Sequence, residues 1–236
     1  MSEAPLEAIR DVEGWLSPAQ AEALFGAAAA LPDGATCVEI GSFQGRSTIM
    51  LARGLAGRGR VVAIDPHAGN DRGPREIEGK QTEAQADHEH FIANLSRAGV
   101  AESVTHVRLP SQDALGVVEG AVDLLYVDGA HRFGPARADI ERWGERVRAG
   151  GVMLVHDSFS SIGVTLAIMR SLAFSGRFRF EGRTGSLARY RRASLSGSER
   201  VSNAARQLAQ LPWFVRNLGV KLAVVLRLRR DLTWPY

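Results

Sequence analysis

The residues able to do chemistry lie in a few short stretches where glycines, acids and histidines stand side by side. The stretch Val38–Thr48 reads VEIGSFQGRST, with glycines at 41 and 45. Glycine at a turn between two elements lets backbone approach a ligand closely, and a helix starting there offers unpaired N–H groups to something polar. Phe43 and Arg46 occupy the places where the dinucleotide pattern G-x-G-x-x-G needs bare backbone against a pyrophosphate, which argues against a nicotinamide dinucleotide. Glu39 stands inside an otherwise apolar run; a buried acid needs a donor in answer, and a ligand ammonium or hydroxyl would supply one. Asp65 ends the next apolar run, where a carboxylate can accept hydrogen bonds from both hydroxyls of a ribose. Three of the six histidines, His67, His131 and His156, lie within three residues of Asp65, Asp128 and Asp157. Imidazole titrates near neutral pH, so such pairs suit moving a hydroxyl proton.

The elements that must position these residues can be read from periodicity. Short β-branched runs predict strands at Thr36–Ile40, Arg60–Asp65, Ser103–Arg108, Val122–Asp128 and Gly151–His156. Helical patterns alternate with them at Pro18–Ala30, Ser47–Leu55, Thr82–Ala98, Gly134–Arg148 and Ile162–Phe174. Near-continuous apolar character in most of the strands suits a parallel sheet covered on both faces. Period-two alternation in Arg177–Glu181 and Ser186–Arg191, around a turn at Gly182–Gly185, predicts a closing antiparallel hairpin. The expected fold class is therefore α/β: a Rossmann-like, doubly wound, mostly parallel seven-stranded sheet with a C-terminal hairpin and a helical extension. The candidate residues all fall just past strand ends, on the side where open α/β sheets bind ligands.

The ordered set Glu39, Gly41, Gly45 and Asp65 resembles the class I S-adenosylmethionine-dependent methyltransferases. The likeness continues through Phe91–Leu95 (FIANL), Gly99-Val100, Asp123–His131 (DLLYVDGAH), Arg148–Gly151 (RAGG) and Val155–Asp157 (VHD). It covers roughly residues 16–192 and is most like the subgroup related to macrocin-type sugar O-methyltransferases and the catechol-type fold. The resemblance implies S-adenosyl-L-methionine as cofactor, with contacts at Glu39, Gly41, Ser42, Phe43, Gly45, Ser47, Asp65, Pro66, Ser111, Gln112 and Asp128. Leu109–Ala114 (LPSQDA) departs from the family's usual Gly-x-Ser-x-Glu-Ala at the adenine-edge segment. The implied reaction is O-methylation of a hydroxyl on a small molecule such as a sugar or glycosylated metabolite, with His131 the first candidate base and Asp128, His156 and His67 the further catalytic candidates. Asp128 and Asp157 resemble two carboxylate ligands of the metal-dependent members, in which Mg²⁺ or another divalent cation holds the acceptor; Ser158 stands where those members carry a third oxygen ligand. A nicotinamide-dependent oxidoreductase and a non-catalytic cofactor-binding scaffold are the competing expectations.

Composition sets the frame. With 236 residues, 45% hydrophobic and 23% charged, the chain suits a soluble globular protein of one domain with an extension: a methyltransferase domain over 1–193, with 1–16 a lead-in, and a tail over 194–236. A lone cysteine, Cys37, and an acidic N-terminal stretch predict a cytoplasmic protein. Residues 1–175 carry 16 Lys and Arg against 23 Asp and Glu, whereas 176–236 carry 13 against 3. The acidic body argues against nucleic acid as a partner. The segment His67–Gln85, with Arg72, Arg75 and Lys80, reads as a mobile substrate loop. In the tail, one helical pattern from about Glu199 to Arg230 places Leu211, Phe214, Leu218, Leu222 and Val225 on one stripe, near Trp213 and Trp234 and among Arg206, Arg216, Lys221, Arg227, Arg229 and Arg230. The expected occupants of that stripe are the body of the enzyme, a second subunit in a homodimer, or the surface of an anionic membrane at the inner face.

Overall fold

A computed structural model of the protein describes residues 5–68 and 81–225. Helix α1 (Pro18–Ala29) starts on a reciprocal cap in which Ser17 and Gln20 satisfy each other's backbone N–H groups, with proline at the first helical position. Strands β1 (Ala35–Ile40) and β2 (Gly59–Ile64) flank α2 (Arg46–Leu55); α3 (Gln81–Arg97) and β3 (Val104–Val107) follow. Next come the short α4 (Ser111–Ala114), β4 (Val122–Val127), α5 (Phe133–Arg146), β5 (Val147–Val155) and α6 (Ile162–Ser171). The hairpin β6 (Phe178–Thr184) and β7 (Leu187–Arg192) leads into α7 (Gly197–Leu208) and α8 (Leu211–Val225).

The strands form one seven-stranded sheet in the order β3-β2-β1-β4-β5-β7-β6. β1 to β5 run parallel, and β7 pairs antiparallel with β5 and with β6. The expected architecture stands: strand order reverses beside β1, so the carboxyl ends of β1 and β4 open onto a crevice between helices on opposite faces. Every residue of β1 is buried, as its apolar sequence requires. Cys37, Met50, Leu51, Leu55 and Tyr126 join the core on one face; Val38, Ile40, Leu125, Ile140 and Trp143 join the core on the other. The alternation of β1 therefore sends Glu39 to the same face as Cys37, toward α2.

Several local readings differ from the structure; β5 begins at Val147 rather than Gly151, so Arg148 lies in a strand and not at the end of α5, and helix α3 already runs from Gln81, inside the expected His67–Gln85 loop. The hairpin reverses at Gly185-Ser186 rather than across Gly182–Gly185, because Gly182, with φ of 134°, lies at a register shift inside β6. A short helix at Ser111–Ala114 went unread, since a single turn leaves no periodicity. The tail is two helices rather than one. Pro212, which has no N–H to give a preceding turn, sits in the first turn of α8, and the chain bends between Leu208 and Leu211.

Both tail helices pack on the body. The Asn203 amide donates to the Phe178 carbonyl and accepts from the Phe180 N–H; Gln207 donates to the Leu172 carbonyl. The Arg183 guanidinium lies 3.7 Å from the Trp213 ring centroid, and Asn217 donates to the Phe159 carbonyl at 3.1 Å. Leu211, Phe214 and Leu218 are half-buried, while Leu222 is 58% exposed. Arg227, Arg229, Arg230 and Trp234, like Arg72, Arg75 and Lys80, lie outside the described residues. No described helix is long and apolar enough to cross a membrane. Replacing Asn203 with alanine strands two buried backbone groups of β6, and unfolding by urea should report a loss of about 1–3 kcal/mol.

Candidate active site

The glycine turn is built by a close crossing of two strand ends. Gly41 has φ of 85°, and a Cβ added there would stand 2.2 Å from the Asp128 carbonyl oxygen; the Asp128 N–H in turn donates to the Ile40 carbonyl at 2.8 Å. Gly45, with φ of 89°, caps the N-terminus of α2. Glu39 lies fully buried beneath the turn, its two oxygens accepting from the hydroxyls of Ser47 and Thr48. The chain itself therefore supplies donors to this acid. Burial pushes the Glu39 carboxyl up to about 8 against the pull of those hydroxyls.

Asp65 organises the backbone around that turn. One carboxylate oxygen accepts from the N–H groups of Ser42 and Phe43, both at 2.9 Å, and the other from the His67 N–H at 2.8 Å. Phe43 and His67 both hold φ of 44°, a conformation that costs energy for such side chains and persists where surrounding contacts fix it. The His67 ring is buried, with Nε2 2.8 Å from the Phe43 carbonyl, and it packs against His88, Phe91 and His106. Arg46, on the cleft wall, donates to the Ile9 and Val12 carbonyls, tying down the N-terminal lead-in. Trp15 then stacks at 5.1 Å on Phe43.

Across the crevice, the ends of β4 and β5 carry alternating acids and bases. The Tyr126 hydroxyl donates to Asp128 Oδ2 at 2.7 Å. Asp128 Oδ1 is 2.9 Å from His156 Nδ1, and Asp157 Oδ2 lies 4.0 Å from the same nitrogen and 2.7 Å from His131 Nε2. The His156 side chain is 3% exposed. Burial alone would discharge it, yet Asp128 and Asp157 outweigh burial and push it up to about 9. Burial likewise opposes ionisation of Asp157, but the bond from His131 and the charges of His156, His131 and Lys221 hold it well below the usual carboxylate range. His131 titrates above its ordinary value for the converse reason: Asp157 and Asp128 overcome burial.

Ser111 and Gln112 are held by a residue that sequence reasoning passed over. Both donate to Asp139 of α5, whose carboxyl burial pushes up to about 6 against those two bonds, and Trp143 Nε1 donates to the Ser111 carbonyl at 3.1 Å. Helical spacing from Phe133 points Asp139 inward with Ala136, Ile140 and Trp143, and an acid on an apolar face was the available signal.

These parts enclose a cleft of ≈ 1110 Å³. Of the predicted residues, Gly41, Ser42, Phe43, Ser47, Asp65, Pro66, His67, Ser111, Asp128, His131, His156 and Asp157 line it; Glu39, Gly45 and Gln112 stand behind its wall. Trp15 of the lead-in and Leu218 and Lys221 of α8 also line it, and nothing in their local spacing announced that. Among the described residues, no three His, Cys, Asp or Glu side chains come together to hold a metal ion. Asp128 and Asp157 each face a histidine, and Ser158 donates its hydroxyl to the Val155 carbonyl at 2.8 Å.

The methyltransferase domain family matches residues 38–158, about half of the chain and the part that carries the glycine turn, Asp65, Asp128, His131, His156 and Asp157. The chain belongs to that family. A catechol O-methyltransferase from Mycobacterium tuberculosis is 33% identical over 131 residues, 55% of this chain and 50% of that protein; the chain thus spans about half the length of the curated relative it matches. Among solved structures, an O-methyltransferase from Bacillus cereus in complex with SAH superimposes with a TM-score of 0.59 at 20% identity, covering 82% of this chain and 92% of the other. TomG from Streptomyces achromogenes, an O-methyltransferase in complex with SAM, gives 0.54 at 21%, covering 84% and 92%. These likenesses establish the methyltransferase fold.

Two outcomes follow from this geometry. In the methyltransferase domain, Gly41→Ala puts a Cβ into the Asp128 backbone at a left-handed φ, so thermal unfolding should show a loss of about 1–3 kcal/mol from strain, with the clash adding to it. Burial, with His67 and His88 adding to it, pushes His106 down to about 4. An unfolded chain would bind that proton from about pH 6.5 downward, so this contribution is complete above that pH and is lost as pH falls toward 4. Melting temperature measured across that window should fall less steeply in His106→Gln than in the parent.

Proposed function

We propose that the protein is an S-adenosylmethionine-dependent O-methyltransferase acting on a small hydroxylated acceptor. The observation that carries this is the His131–Asp157 pair at 2.7 Å on the wall of a cleft whose floor is the Gly41 turn. The donor set suits the cofactor: the buried Ser42 hydroxyl on the cleft wall has no partner among the described residues. When bound, S-adenosylmethionine supplies an electrophilic methyl group. Asp65 would hold its ribose, Ser111 its adenine edge, and Gly41 and Asp128 its methionine part.

On the acceptor side, His131 donates Nε2–H to Asp157, which leaves Nδ1 to take the acceptor's hydroxyl proton during in-line transfer. Asp157 fixes the ring's tautomer and stabilises the imidazolium that forms. His67, committed to the Phe43 carbonyl, serves the loop rather than the acceptor. Asp128 and Asp157, each matched to an imidazole, and a Ser158 hydroxyl directed to backbone form a donor set that does not fit a hard divalent cation. Homodimerisation and peripheral contact with an anionic membrane stay proposals for the exposed parts of the tail.

Calorimetry should detect S-adenosylmethionine binding to the full chain, and Asp65→Ala should weaken it by about 1.5–3 kcal/mol. Absence of binding to the parent would sink the proposal. Methyl transfer to catechol and to hexose acceptors, followed with labelled cofactor, should persist in EDTA. Because Asp157 raises the His131 pKa, the base form appears at higher pH than for an ordinary histidine; kcat/KM should climb with pH as His131 loses its proton, and His131→Ala should flatten the climb. Loss of turnover in EDTA with recovery on adding Mg²⁺ would replace the histidine mechanism by a metal one.

A further inference from the structure

Helix α8 is apolar on two sides, and one of them packs on the body. Of its fifteen residues, Arg216, Asn217 and Lys221 are the charged or amide side chains. Two of the three turn inward: Asn217 donates to the Phe159 carbonyl at 3.1 Å and Lys221 to the Ser160 carbonyl at 3.0 Å. Leu211, Trp213, Phe214 and Leu218 are half-buried on that side. Pro212, Val215, Gly219 and Leu222, spaced by three and four, form the opposite stripe and are exposed, with Arg216 at its edge. A helix apolar all round is normally covered all round, and an exposed apolar patch marks a contact surface. The rim of the cleft beside α8 is apolar too. The Lys221 bond seats α8 near the start of α6, where Ile162 lines the cleft and, like Leu166 one turn further on, is more than half exposed. Phe133 of α5, also exposed, adjoins them, since a Cβ added at Gly163 would stand 2.7 Å from its backbone nitrogen.

Charge identifies the occupant. Helix α8 holds no acid, and Glu199 of α7 is engaged by Arg179 at 2.8 Å, whereas the exposed Arg206 and Arg216 have no carboxylate partner among the described residues. Residues 226–236, which follow α8 directly, carry Arg227, Arg229 and Arg230 against Asp231, together with Trp234. An apolar stripe flanked by such arginines is the composition of a helix that lies in the headgroup region of an anionic bilayer. A second copy seated through the same face would set these arginines against their own counterparts. The acidic body, with 23 Asp and Glu against 16 Lys and Arg over 1–175, turns the basic tail side toward a negative surface. We propose that Val215 and Leu222 of α8, with Phe133, Ile162 and Leu166 at the cleft rim, form a docking surface for an anionic lipid bilayer. Docking there places the mouth of the cleft at the boundary between lipid and water. The surface includes residues of the body as well as the tail, and it does not depend on the reaction the cleft performs.

Flotation of the full chain with lipid vesicles at low salt tests this. Vesicles of phosphatidylglycerol should carry the parent upward in the gradient, and vesicles of phosphatidylcholine should leave it behind. Leu166→Glu on α6 and Val215→Glu on α8 each remove apolar area and add a negative charge at the proposed surface. Each should weaken partition onto phosphatidylglycerol about tenfold while leaving the melting temperature near that of the parent. Recovery of the parent in the unbound fraction with phosphatidylglycerol overturns the proposal, as does equal flotation with both lipids or parent-like flotation of either variant. A dimer of the parent seen by sedimentation without vesicles, and lost in Val215→Glu, assigns the face to a second copy and also overturns it. Should a variant fail to fold, the parent's choice between the two lipids still decides.

Discussion

The close approach of Gly41 to the Asp128 carbonyl is the contact on which the rest of the cleft depends. Two parallel strands diverge at their carboxyl ends only if one of them turns sharply, and here the turn passes so near its neighbour that no Cβ fits. Pinning β1 to β4 at this point sets where Glu39, Ser42 and Asp128 stand relative to one another. Asp65 then fixes the other side of the turn through three backbone N–H groups, so the loop is ordered by one carboxylate rather than by its own side chains. Positive φ at Phe43, His67 and Asp157 collects at these strand ends. Backbone strain of this kind survives only where neighbouring contacts over-determine the conformation.

Electrostatics impose a second constraint. Glu39, Asp128 and Asp157 crowd the ends of adjacent strands, and carboxylates so close cannot all be charged in a low-dielectric interior without partners. The fold solves this in two ways. Beneath the turn, burial and the nearby acids favour the neutral form of Glu39, which two hydroxyls of α2 hold in place. On the acceptor wall the charges are kept and interleaved, Asp128 with His156 and Asp157 with His131. That interleaving gives the wall basic groups whose protonation is set by the acids beside them, which is the property a proton-accepting site requires.

The segments outside the sheet are tied to the cleft by side chain to backbone bonds. Arg46 clasps the lead-in, bringing Trp15 over Phe43; Asn217 and Lys221 clasp the carbonyls of Phe159 and Ser160, bringing α8 to the opposite wall. The cleft is thus floored by a sheet end and walled by the lead-in and α8. Those walls lie outside the strand ends that set the fold, so fold likeness to solved O-methyltransferases does not fix what the cleft admits.

The amino-acid sequence by itself determined the α/β class, the strand and helix order, the closing hairpin and the glycine turn with its attendant acids. These rest on local physics: periodicity follows from the 2.0 and 3.6 residue repeats, and a tight turn announces itself by glycine. The break between α7 and α8 was missed by the reading of one helix from about Glu199 to Arg230, although Pro212 in the first turn of α8 was its available signal. Only the tertiary structure decided that Ser47 and Thr48 answer Glu39, that Asp139 holds Ser111 and Gln112, and that Arg46 clasps the lead-in. It alone brought Leu218 and Lys221 into the cleft. Each of these pairings joins groups on separate elements, and their meeting depends on how helices seat on the sheet, a sum of many packing contacts that no local spacing records.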